Sequence, residues 1–98
     1  MAINKQKIGT VATLAAGATY TFQWNNPPWD NVLGYFAYPI TPTVAGPHGS
    51  ANGTVEITKV ECTYLRDNYN GDKKYVRIDV KNSGNHTIGF DLWESWIS

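Results

Sequence analysis

The stretch YVRIDVKNSGNHTIGFDL, residues 75–92, decides the fold. Val76, Ile78 and Val80 alternate with Arg77 and Asp79, and Ile88, Phe90 and Leu92 repeat the pattern. Period two marks a strand with one buried face. Between the two runs, NSGN at 82–85 supplies turn residues and predicts a hairpin.

The same reading extends outward. In ATYTFQW, residues 18–24, Tyr20, Phe22 and Trp24 share one face and Thr19, Thr21 and Gln23 the other. VLGYFAY, residues 32–38, is apolar on both faces, which suits a central or doubly covered strand. Asn70-Gly71 is a strong hairpin signal, because that pair tolerates the positive φ of a tight turn. Strands are therefore expected at about 6–14, 18–25, 32–39, 54–66, 74–81 and 87–96, with a short one near 40–44. Within 54–66 the apolar parity switches from Val55 and Ile57 to Val60, Cys62 and Tyr64, which calls for a bulge near Thr58 or Lys59.

Six or seven short strands predict an all-β, antiparallel two-layer sandwich, immunoglobulin-like or jelly-roll-like, with a small closed barrel as the alternative. The stretch 75–87 is similar in style to the strand-turn-strand pairs of immunoglobulin-like sandwiches, a likeness shared by many families. At 98 residues the expectation is a single domain spanning 1–98.

A net charge of zero and cations in short groups leave no phosphate-tracking groove, so nucleic acid is not expected as a partner. The single cysteine, Cys62, excludes an internal disulfide; its parity with Val60 and Tyr64 predicts a buried, unreactive thiol. Neither a signal peptide nor a membrane-spanning segment is visible, and the compartment is not legible. The sequons at Asn52 and Asn85 read as turn chemistry.

No nucleophile–base pair or phosphate loop is visible around His48, His86 or the scattered carboxylates, so no enzymatic activity is expected. No cofactor is expected either. Calcium is retained as a weaker candidate, through Asp67, Asn68, Asn70 and Asp72 in one loop; Arg66 and Arg77 break the helical calcium-loop pattern.

Four tryptophans are more than a small sandwich core needs. Trp24 reads as core. Trp93 and Trp96 should point to opposite faces, Trp93 outward with Ile97, and the three mark a subunit contact or plain packing. Trp29 sits in WNNPPWDN, residues 24–31, where two prolines stiffen the chain. It reads as a loop staple or as a presented ring. A ring beside Asn25, Asn26, Asp30 and Asn31 suits a sugar, whose C–H face stacks while its hydroxyls are hydrogen-bonded, by Asn26, Asp30 and Asn31 in this reading; a peptide is the other ligand class. The leading expectation is a non-enzymatic, lectin-like carbohydrate-binding module. The alternative is a structural protein that self-associates as a homo-oligomer through its aromatic edge. Membrane contact through Trp29 ranks last, since no positive charge assists it.

Overall fold

The computed structural model describes residues 2–25, 27, 31–44 and 46–98. Its strands are β1 (Ile3–Leu14), β2 (Thr19–Asn25), β3 (Val32–Pro39), β4 (Val55–Leu65), β5 (Lys73–Asn82) and β6 (Ile88–Ile97). They form two antiparallel three-stranded sheets, β1-β6-β3 and β2-β5-β4, stacked as a sandwich; no barrel closes among the described residues.

The central strands β5 and β6 supply the core. Val76, Ile78, Val80, Ile88, Phe90 and Leu92 are buried, joined by Leu14 at the end of β1. A central strand is flanked on both sides within its sheet, so its inward residues lose water most completely. Phe22 packs edge-on against Phe90, with ring centroids 5.9 Å apart, and ties the two layers together.

Pairing differs from the expectation at one turn. The segment after Asn82 is a crossover between sheets, not a hairpin, because β5 and β6 belong to different layers. Buried Asn82 fixes this corner: its Nδ2 donates to the Leu14 carbonyl (2.9 Å) and the His86 carbonyl (2.7 Å), and its Oδ1 accepts from Gly84 N–H (3.0 Å). The crossover also touches the long loop before β4. A Cβ on Gly84 would lie 2.3 Å from the Asn52 carbonyl oxygen, so only glycine fits there. Among the described residues, the one hairpin between consecutive strands joins β4 to β5 around Asn70-Gly71, where Gly71 takes a φ of 82°.

The parity switch in β4 is a register shift between Ile57 and Lys59, which leaves Thr58 as the extra residue. Three further shifts were not expected, at Ile8 and between Val11 and Leu14 in β1 and at Leu33 in β3. Residues 40–44 form no strand: pairing continues only as far as Ile40 N–H to the Gly89 carbonyl (2.9 Å), and Pro42 follows. β3 is an edge strand, not a central one, and its outer-face Phe36 and Tyr38 are half exposed.

The sandwich is long and thin. Its radius of gyration is 16.5 Å, against about 12.5 Å for a compact chain of this length. One seam stays open, a cleft of about 280 Å³ between β3 and β4, lined by Val32, Leu33, Tyr35, Val60 and Cys62. Cys62 is consequently exposed, contrary to the parity argument; it faces inward, but the layer above does not cover it.

Candidate functional site

The strands leave a second, larger cleft of about 450 Å³ between the layers, where β2 ends and β5 begins. Gln6 and Ile8 of β1, Trp24 and Asn25 of β2, Pro27 and Glu94 of β6 line it. Register explains the set. Gln6 pairs with Glu94 across β1 and β6, and Trp24 pairs with Val76 across β2 and β5, so these residues share the space between the sheets. The volume falls within the range of small-ligand sites.

The cleft combines one aromatic wall with directional polar groups. Phe22 stacks on the Trp24 indole at 5.3 Å between centroids and 5° between planes, which holds the ring in place. Gln6 and Asn25 bring amides, and Glu94 brings a carboxylate. Glu94 occupies a core-parity position, two residues beyond fully buried Leu92. Its cross-strand partner on β3 is Tyr35, on the same inner face. Burial, the Glu94 charge, hydrogen bonding towards it and nearby Cys62 push the Tyr35 hydroxyl up to about 12. Tyr35 therefore stays a proton donor throughout the neutral range, on the same inner face as Glu94.

Of the residues singled out in the sequence, Trp29, Asn26 and Asp30 lie outside the described residues. Asn31 is exposed, immediately before β3. Buried Pro27, from the same proline pair, lines the cleft. Trp93 sits on the outer face of its sheet between Lys7 and Phe36, with the Lys5 ammonium 4.9 Å from its ring centroid and 5.8 Å from that of Tyr38. Ile97, paired with Ile3, shares the outer face, whereas Trp96 pairs with Asn4 and Val32 on the inner side. Asp67 and Asp72 serve their own hairpin. Asp67 Oδ1 accepts from the N–H groups of Tyr69 (2.8 Å) and Asn70 (3.1 Å), and these bonds hold its carboxyl below the usual range. Asp72 accepts from the Tyr64 hydroxyl at 2.6 Å.

Sequence reasoning did not find Gln6 or Glu94, named Asn25 only as a polar neighbour of Trp29, and assigned Trp24 wholly to the core. One signal was available: a carboxylate in register with Phe90 and Leu92 must either find a partner or line a wet space. No family model, no curated protein and no solved structure matches this chain.

Proposed function

We propose that the chain is a non-enzymatic carbohydrate-binding module whose ligand enters the cleft lined by Pro27, Trp24 and Glu94. The observation that carries this reading is the pairing of a held indole with a carboxylate and two amides in one cleft. A pyranose presents the complementary surface: a C–H face for the indole, and hydroxyls that donate to Glu94 and exchange hydrogen bonds with Gln6 and Asn25. Trp29, Asn26, Asp30 and Asn31 enter this proposal as further ligand contacts on their sequence pattern alone, a ring among amides and a carboxylate.

A glycan array of the wild type beside Glu94→Gln and Trp29→Ala tests it. The wild type should bind a defined sugar class. Glu94→Gln should weaken that binding roughly tenfold or more, the value of one hydrogen bond to a charged group, and Trp29→Ala should abolish it. Silence from the wild type refutes the proposal.

The outer face of the β1-β6-β3 sheet favours a second reading, homo-oligomeric contact. Phe36 and Tyr38 are about half exposed beside Trp93, and Lys5 lies across the same strip. An exposed aromatic strip of this kind suits an interface. Under this reading Trp93→Ser reduces the sedimentation coefficient of the assembly; an unchanged value rejects that face.

A further inference from the structure

We infer that β4 pairs antiparallel with β4 of a second copy of this chain, about a two-fold axis beside Val60. This joins the two β2-β5-β4 sheets into one, and it stands independently of sugar binding.

The edge is open. β4 is the last strand of its sheet, and among the described residues no strand lies beside its outer side. Its inward residues are also unusually wet for a sandwich. Val60 is 49% exposed and Tyr64 59%, and Cys62 is exposed as well. A long edge with an uncovered apolar face is a template for pairing.

The residue order on β4 identifies the occupant. Lys59 and Glu61 flank Val60 on the opposite face, joined by an ion pair of 2.9 Å within the strand. A two-fold axis at Val60 sets Lys59 of each copy against Glu61 of the other and Val60 against Val60. Beyond them Thr58 is the extra residue, as it already is against β5. With that bulge taken on both copies, Ile57 falls opposite the second copy's Cys62, Glu56 opposite its Thr63 and Val55 opposite its Tyr64. Every pair then has matching faces: apolar with apolar on the inside, opposite charges or Glu with Thr on the outside. A strand with an unrelated sequence would have no reason to satisfy this symmetry. The other edges lack it: β1 carries lysines with no acidic residue, and β2 and β3 carry no charged residue.

The rival two-fold register, centred on Cys62, places Lys59 against Leu65 and brings the two Glu61 residues into diagonal contact. It gives up the charge match, and it makes an opposite chemical forecast. In the Val60 register the native thiols lie too far apart to join. Two cysteines at position 60 would sit at the roughly 4.5–5.5 Å Cα spacing of directly opposed residues, within disulfide reach.

Sedimentation velocity at about 100 μM should show a dimer, a range accessible to strand addition. Lys59→Glu and Glu61→Lys should each weaken it roughly tenfold or more through like-charge opposition. The Lys59→Glu/Glu61→Lys double variant should recover affinity to within about threefold of wild type. Val60→Cys in a Cys62→Ser background should cross-link under mild oxidation, whereas the wild type should not. These positions are solvent-exposed or half exposed in the single chain, so the variants should fold; circular dichroism checks this. A monomeric wild type, failure of the charge-swapped pair to recover, or efficient cross-linking through native Cys62 would each overturn the inference.

Discussion

Asn82→Ala tests the corner that turns β5 across to β6. Asn82 has no exposed surface, and its side chain makes three hydrogen bonds to three backbone groups. Alanine removes all three and leaves two carbonyls and one N–H without that partner. A net contribution of about 1 kcal/mol per bond gives a loss of ~3 kcal/mol; a full desolvation penalty at the one wholly buried bond, to Leu14, raises it towards ~5. Total stability for a domain of this length is on the order of 5–15 kcal/mol, so this is a large fraction. The melting temperature should fall by roughly 12–40 °C at about 4–8 °C per kcal/mol. Urea denaturation followed by tryptophan fluorescence gives the free energy directly. Asn85→Ala is the control, since exposed Asn85 accepts only a 3.3 Å bond from Asn52 N–H; it should cost under about 1 kcal/mol. If Asn82→Ala costs no more than the control, Asn82 does not hold the corner and the crossover must owe its geometry to packing.

Tyr35 gives an alkaline signature. Its folded value, about 12, exceeds the ordinary 10. The folded state therefore holds a proton that the unfolded state releases, and stability should fall as pH rises from about 10 to 12. Tyr35→Phe should remove that share of the slope in denaturation curves across the window. Gly84→Ala should destabilise by about 1–3 kcal/mol through backbone overpacking against Asn52, read from thermal melts. Asp67→Ala should speed hydrogen exchange at the Tyr69 and Asn70 amides, which donate to its carboxylate. Because the Asp67 carboxyl is held low in the fold, that protection should also fade in the wild type as pH drops through its folded value.

The sequence revealed faces better than partners. Val76, Ile78 and Val80 were legible as core because a central strand buries a complete row. The Thr58 bulge was legible because apolar residues stand on both sides of it, so the change of parity is visible. The Leu33 shift was hidden, since Gly34 follows it and carries no side chain to mark a face. Which strand pairs with which was not legible at 82–85: alternation states which side of β5 and β6 is apolar, and a hairpin and a crossover both direct those sides to one core. The β3 strand misled for a related reason. Phe36 and Tyr38 are apolar on an outer face that flanks Trp93 without being covered, so hydrophobicity there did not mean burial.

Glu94 is where this distinction reaches function. Its row begins with Phe90 and Leu92, both fully buried, and one pleat later changes to a carboxylate at a cleft. If folding alone had set that position, an apolar residue would serve better, since a partly buried carboxylate loses hydration that one tyrosine hydroxyl only partly restores. The double variant Glu94→Leu/Tyr35→Phe removes both polar partners together and leaves no orphaned hydroxyl. Extending the apolar row should stabilise the fold by about 1 kcal/mol, half or less of the value of complete leucine burial, because the cleft stays open. The same change should abolish sugar binding. Denaturation and array binding measured on one preparation separate the two effects. A more stable but silent protein supports a site maintained at the expense of stability. A less stable one would mean that the Tyr35–Glu94 pair is a structural element of the sandwich, and the cleft would then lose its main claim to a ligand.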